Sequence, residues 1–193
     1  MIRFFDIIIS FLGLILLSPL LIIVAIWIKI DSGGPVLYRQ IRVGLHGIDF
    51  ELLKFRSMHI HADKAGLLTV GGRDSRITKA GYILRKYKID ELPQLFNVLS
   101  GEMSLVGPRP EVRKYVDLYN ELQKKVLLVR PGITDMASIA YKKENELLAG
   151  SPDPERTYIE EVMPAKLKLN MIYIENPGLL NYFRIILKTI FPM

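Results

Sequence analysis

The first thirty residues carry a hydrophobic pattern that the rest of the chain does not repeat. From Ile7 to Ile28 there are 22 consecutive residues without a charge. Drawn as a straight helix this run is roughly 33 Å long, enough for a bilayer core of about 30 Å. It is too long for the apolar region of a cleavable signal peptide, and Ile26-Trp27-Ile28-Lys29-Ile30 offers no small-residue cleavage site. A helix apolar on every face is also hard to bury in a domain this small. The pattern therefore predicts a membrane segment over residues 1–30, followed by one domain over 31–193.

Ser18-Pro19 interrupts the apolar run near its middle. Proline has no N–H, and its ring crowds the carbonyl four residues back, that of Ile15. Ser18, preceding proline, is pushed away from helical angles, and its hydroxyl can satisfy a freed backbone group. A kinked span and a helix–break–helix hairpin that leaves by the face it entered are both open. Arg3 on one side and Lys29, Arg39 and Arg42 on the other all prefer the cytoplasm, which favours the hairpin and predicts Arg3 and Lys29 on one side.

Beyond Asp31-Ser32-Gly33-Gly34-Pro35, a turn cluster, the periodicities are shorter. Val36-Leu37-Tyr38 predicts a short strand, and Phe50 to Arg56 a strand running into a loop. Residues 57–76 predict a polar loop with a short helix. Thr78 to Lys88 predicts a helix anchored by Tyr82, Ile83 and Tyr87. A helix over 90–99 is expected to start with Asp90 as N-cap, with Pro93 in its first turn and Gly101 at its end. Pro108-Arg109-Pro110 is a stiff loop. Glu111 to Leu128 predicts one charged amphipathic helix. Pro154 starts a helix running toward Val162, and Pro164 opens the next. Leu179 to Phe191 is amphipathic, and suits either the membrane surface or the domain core. The whole is a mixed α/β fold, mostly helical, with short strands.

Charge sharpens this picture. The net charge of +6 belongs wholly to the part after residue 28, because Arg3 and Asp6 cancel. A basic domain beside a membrane attracts anionic head groups and phosphate-bearing substrates. The membrane segment argues against nucleic acid as the partner. Mean hydropathy is +0.23 and apolar residues make up 50% of the chain, an excess concentrated at the N-terminus. With no cysteine, disulfide frameworks and Cys-ligated metal sites are excluded.

The candidate chemistry sits at Asp90-Glu91. A carboxylate pair at a helix start needs no catalytic role, but its surroundings are cationic: Arg85, Lys86 and Lys88 precede it, Arg109 follows, and Lys54 and Arg56 lie in another loop. A carboxylate ringed by cations is placed to attack or handle a phosphoryl group, and a divalent ion would neutralise phosphate oxygens there. His59, His61 and Asp63 have a spacing that shares one strand face, but no third ligand is in evidence and a hydrogen-bonding role suits them better. Gly71-Gly72 is not followed by Lys-Ser/Thr and is no Walker loop.

These residues resemble a known family. Asp90-Glu91-Leu92-Pro93-Gln94-Leu95, Asn97-Val98-Leu99 and Met103-Ser104-Leu105-Val106-Gly107-Pro108-Arg109-Pro110 resemble the bacterial sugar transferases, the monotopic phosphoglycosyl transferases. Lys54-Phe55-Arg56-Ser57-Met58, Arg130-Pro131-Gly132-Ile133-Thr134 and Ser18-Pro19 match in the expected order. The resemblance implies transfer of a sugar-1-phosphate from a UDP-sugar to a polyprenyl phosphate, of the undecaprenyl kind, with release of UMP. It implies Asp90 as covalent nucleophile and metal ligand, Glu91 as its assistant, and Mg2+ as cofactor. Lys54, Arg56, Arg85, Arg109 and Arg130 are the implied phosphate-binding residues. It further implies a re-entrant hairpin broken at Ser18 and Pro19 in the bacterial inner membrane, with the catalytic domain and its amphipathic helices against phospholipid on the cytoplasmic face. The chain looks like the minimal catalytic form, serving the first membrane step of exopolysaccharide, capsule, O-antigen or glycoprotein glycan assembly. A homodimer is compatible with the sequence, which does not fix oligomeric state. Asp135-Met136-Ala137-Ser138-Ile139, Asn170 and Tyr182 depart from many relatives, which leaves the donor sugar open among hexoses such as galactose and glucose.

Overall fold

The structure is a computed structural model that describes residues 1–62 and 74–191. Asp63, Gly66, Gly71 and Gly72 lie outside the described residues. The architecture is mostly helical, with one long apolar N-terminal helix and two small two-stranded sheets.

Helix α1 runs from Ile2 to Ser32 and stays helical through Pro19. The Ser18 hydroxyl donates to the Ile15 carbonyl at 2.8 Å, the acceptor that Pro19 leaves without a partner. Much of α1 exposes apolar side chains, among them Phe11, Leu12, Leu16, Ile22 and Ile23. So large an apolar surface needs lipid or a partner to cover it.

Both ends of α1 are fastened to the same domain. At the N-terminal end Arg3 donates to the carbonyls of Val98 (2.6 Å) and Leu99 (3.1 Å). These are late carbonyls of α3, Gln94–Ser100, where a cation also complements the helix dipole. One turn on, the buried Asp6 carboxylate accepts from Ser104 Oγ (3.0 Å), the Leu105 amide (2.9 Å) and Tyr182 Oη (2.8 Å). At the other end Val24 and Ile28 pack against Phe55 and Leu84. Asp31 there accepts from the Ala80 amide at 3.1 Å.

Strands β1, Leu37–Val43, and β2, Asp49–Phe55, form an antiparallel hairpin in which Tyr38 faces Lys54 and Arg42 faces Phe50. β1 is longer than its apolar pattern predicts, because Arg39, Gln40 and Arg42 continue the strand past Tyr38, whereas β2 lies where the sequence expects it. β3, Ser104–Val106, pairs in parallel with β4, Gly132–Thr134. Gly107 and Gly132 meet backbone to backbone here, and a Cβ on Gly132 would overlap Gly107. Glycine is required for that approach.

Several sequence expectations are corrected. In α2, Lys79–Lys86, the buried residues are Ala80, Gly81 and Leu84. Tyr82, Ile83 and Tyr87 point outward instead of anchoring the helix, because Gly81 lies against the Ser57 backbone and fixes the opposite face as the inner one. Asp90 does not cap α3. It belongs to a 3-10 turn, Ile89–Glu91, while Pro93 occupies the N-cap of α3 without a side-chain bond. The single helix expected over 111–128 is divided into α4, Arg113–Val116, and a 3-10 segment, Gln123–Leu128. Asn120 and Gln123 exchange side-chain-to-backbone bonds at 2.9 Å, the local competition that favours turns over helix.

After α5 (Met136–Ala140) and α6 (Glu144–Ala149), α7 (Pro154–Thr157) widens into a π-helical turn, Tyr158–Val162, before α8 (Met163–Glu175). Pro164, with no N–H to offer the turn before it, accounts for that widening. In the last helix, α9, Leu179–Ile190, Tyr182 and Ile185 are buried against the domain while Leu180 and Leu187 are exposed. The docked reading of this helix thus holds for its inner face.

Candidate active site

The hairpin, the 3-10 turn and the loop after β3 converge on one groove of about 1270 Å3. Period-2 alternation puts Arg42 and Lys54 on the same face of the hairpin, and both line the groove, as do Arg85, Lys88, Asp90, Glu91 and Arg109. Lys88, which introduces the 3-10 turn, has φ +59°. Such left-handed backbone in a lysine is uncommon and often marks a functional site.

Glu91 is clasped by cations. Arg109 reaches both its carboxylate oxygens, one at 3.4 Å and the other in closer contact, and Lys54 Nζ stands 3.8 Å away. Arg109 is held from behind, its backbone amide donating to Asp135 at 3.0 Å. Asp135 also caps α5 through the Ser138 amide. Arg42 braces the same loop, bonding the Pro110 carbonyl at 3.1 Å and Glu111 at 3.0 Å.

Asp90 is buried but differently placed. Its Oδ1 has no hydrogen-bond partner, an exception among buried polar atoms that calls for a reason. The two neighbouring carboxyls diverge accordingly. Burial, and then the adjacent Glu91 charge, push the Asp90 carboxyl above the ordinary carboxylate range. Burial acts the same way on Glu91, but Arg109 and Lys54 outweigh it and hold that carboxyl far below the range. Burial takes the Lys54 ammonium down to about 8, with Arg109 adding to the effect and Glu91 opposing it. Two carboxyls pushed apart in this way suit different roles.

The groove changes character along its length. Beside the cations, Ile9 of the membrane helix lines it with Leu92, Leu95, Ile133, Ile139 and Ile186. A pocket with an apolar wall and a few converging charges is the form expected of a ligand site.

Of the residues singled out in the sequence, Lys54, Arg85, Asp90, Glu91 and Arg109 are brought together. Arg56 and Arg130 do not line the groove. Arg56 is buried at the end of α1 and donates to Ser32 Oγ at 2.9 Å. Arg130 donates to the Gly101 carbonyl at 2.9 Å. His59 and His61 lie outside the groove as well. Arg42 and Asp135 were missed as site residues. The two-residue spacing of β1 signals Arg42 once its register with Lys54 is known, whereas nothing local signals Asp135, which acts 26 residues from Arg109.

The bacterial sugar transferase family model matches residues 1–193. A Klebsiella pneumoniae protein named UDP-glucose:undecaprenyl-phosphate glucose-1-phosphate transferase is 37% identical over 193 residues, 98% of this chain and 39% of that protein. A Caulobacter vibrioides protein of the same name is 37% identical over 97% of this chain and 67% of its own length. An Aeromonas hydrophila protein named UDP-N-acetylgalactosamine-undecaprenyl-phosphate N-acetylgalactosaminephosphotransferase is 38% identical over 97% of this chain and 42% of that protein. The chain thus spans well under half of two of these three relatives. With a family match along its full length, the chain belongs to the bacterial sugar transferases.

Proposed function

We propose that this protein transfers a sugar-1-phosphate from a UDP-sugar to a polyprenyl phosphate at a membrane surface. The observation that carries the reading is the buried Asp90 carboxylate, with one oxygen unpartnered, on the wall of a groove shared by cations and the membrane-helix residue Ile9. A groove built from both suits a soluble anionic donor and a lipid phosphate meeting at one point. The names of the relatives point to the same pair of substrates.

In this reading an Asp90 oxygen attacks the phosphorus that bears the sugar. The bond to UMP breaks and UMP leaves with its electrons, giving an aspartyl phosphosugar. A phosphate oxygen of the acceptor then attacks the same phosphorus, forming the polyprenyl diphosphate sugar and returning the Asp90 carboxylate. Arg109 and Lys54 balance charge on the transferred phosphate, and Glu91 holds both in place. The apolar wall containing Ile9 receives the first isoprene units.

Among the described residues no cluster of three or more His, Asp or Glu side chains forms a metal cage. Asp90 does fit Mg2+ of the kind that takes one carboxylate and finds its other ligands in substrate phosphate and water. When bound, the ion would neutralise phosphate oxygens. Both ends of α1 rest on one domain, which supports the re-entrant hairpin over a span, and the basic residues beside it favour the cytoplasmic face.

The test is a panel of UDP-sugars with Mg2+ and undecaprenyl phosphate. The native protein is expected to release UMP and, without acceptor, to carry the labelled phosphosugar. Asp90→Asn is expected to lose both. Full turnover by Asp90→Asn would sink the covalent role.

A further inference from the structure

Besides Asp90 and its cations, the groove is lined by polar residues of α6 and α8. Lys166, Leu167 and Asn170 line it from α8, with Lys166 and Asn170 one turn apart on the same helix face. Lys166 is paired with Glu144 at 2.7 Å, and both side chains are largely buried, 14% and 23% exposed. The Lys166 ammonium also lies over the Tyr158 ring, 5.6 Å from its centroid. Asn170 is 5% exposed, and no hydrogen bond joins its amide to a described residue. Its nitrogen and oxygen are open to the groove instead of sealed in the core, and a ligand there can supply the partner.

We propose that Glu144, Lys166 and Asn170 form the wall that reads the sugar hydroxyls of the donor, with Asn170 as its specificity-determining residue. The inference rests on the reading of the groove as a sugar-nucleotide site. Each sugar hydroxyl can donate once and accept twice. A carboxylate accepts, an ammonium donates, and an amide does both. Because Glu144 and Lys166 already hold each other, they present fixed partners at little further cost in side-chain order. Asn170 completes the set with a free amide. An amide aligned on one hydroxyl loses its partner when that hydroxyl is inverted or replaced, so selection between epimers follows from its position.

The experiment uses the full chain in lipid nanodiscs with four donors: UDP-glucose, UDP-galactose and their N-acetylamino counterparts. Specificity constants are measured for the native protein, Asn170→Ala, the near-isosteric Asn170→Asp and Glu144→Gln, together with inhibition by UMP. The expected result is a loss of about tenfold or more with the preferred donor and a changed ranking of the four, while UMP inhibition stays within about twofold. An equal loss for all four donors overturns the proposal, as does an unchanged ranking. A matching loss of UMP inhibition overturns it too, because the wall then reads ribose or base. If Asn170→Ala fails to fold, Asn170→Asp and Glu144→Gln carry the same comparison. Absence of turnover by the native protein with every donor would instead overturn the transferase reading, and this inference with it.

Discussion

Arg109 donates through both terminal guanidinium nitrogens to the two oxygens of Glu91, while Asp90, the residue just before it, has an oxygen with no partner at all. One carboxylate organises the cations and so leaves the other free to react. The Glu91 charge also raises the proton affinity of both Asp90 and Lys54. Glu91→Gln is therefore expected to move both limbs of the pH profile of kcat/KM to lower pH, and to lower the maximum by roughly 100-fold as Arg109 loses its clasp. Rates of UMP release from about pH 5 to 10 measure both effects. An acid limb that stays in place would exclude the coupling to Asp90.

Lys54 is expected to give the alkaline limb. Its pKa is lowered to about 8, so it is charged below that pH and neutral above it. Attraction for the donor phosphates is expected to fall as pH rises through about 8 in the free enzyme. The stability term has the opposite slope: between about 8 and 10.5 the unfolded chain holds more protons than the folded one, and stability from this group rises with pH. Lys54→Arg keeps a cation that does not titrate in this range. It is expected to abolish the alkaline fall in kcat/KM while reducing its height, because the fork of arginine does not reproduce a point charge. An alkaline limb that survives in Lys54→Arg would assign it to another group.

The parts of this site that could be read in the sequence are those carried by short-range pattern. The apolar run of α1, the Ser18 hydroxyl beside Pro19 and the cations Arg85 and Lys88 just before Asp90 are local features: the run forms a helix, continuous through Pro19 where a break is expected, the hydroxyl bonds Ile15, and both cations line the groove. What could not be read depends on contacts distant in the chain. Tyr82, Ile83 and Tyr87 suit the inner face of a helix by composition, yet the close approach of Gly81 to Ser57 turns them outward. Arg56 has the charge of a phosphate ligand but lies at the end of α1, where it bonds Ser32. Asp135 holds Arg109 by its backbone amide, a bond that leaves no trace in residue type.

The Gly107–Gly132 contact sets the position of Arg109 from a distance. The Gly132 amide bonds the Pro108 carbonyl at 3.0 Å, and the Gly107 amide bonds that of Thr134 at 3.1 Å. A methyl group at Gly132 has to displace the backbone that carries Pro108-Arg109-Pro110. Gly132→Ala is expected to cost roughly 2–4 kcal/mol of stability, with loss of activity even where folded protein is recovered. Thermal unfolding in nanodiscs, paired with UMP release, checks both. Near-native values would show that the loop relaxes freely.

Asp6 and Tyr182 join the first helix to the last. Asp6 has three donors and is 1% exposed, so removing one leaves a buried carboxylate short of a partner. Tyr182→Phe is expected to destabilise the protein by about 1–3 kcal/mol without changing the pH profile of the reaction. In Asp6→Asn the same tyrosine change should cost less, because the acceptor has lost its charge. A double-mutant cycle on thermal stability reads this coupling, and strict additivity would show that the bond contributes nothing.

The fastening of α1 at both ends carries a topological prediction. As a straight helix its 31 residues would reach about 46 Å, well beyond a hydrocarbon core of about 30 Å. A span would put Arg3 on the far side of the bilayer from the domain, breaking its bonds to Val98 and Leu99 and leaving Asp6 in lipid without its three donors. A hairpin bent at Pro19 keeps these contacts and leaves the exposed apolar side chains in one leaflet. The chain has no cysteine, so Ile2→Cys and Lys29→Cys each give a unique label. Both are expected to react with a membrane-impermeant maleimide from the same side, in intact cells or in inverted vesicles. Replacing the break with Ser18→Ala and Pro19→Leu restores a full helical hydrogen bond to Ile15 and favours a straight helix. Labelling at residue 2 should then shift toward the opposite side as contacts at Arg3 and Asp6 are lost. Opposite accessibility in the unmodified segment would mean that α1 spans the membrane and that its docked N-terminal end is not the membrane-bound state.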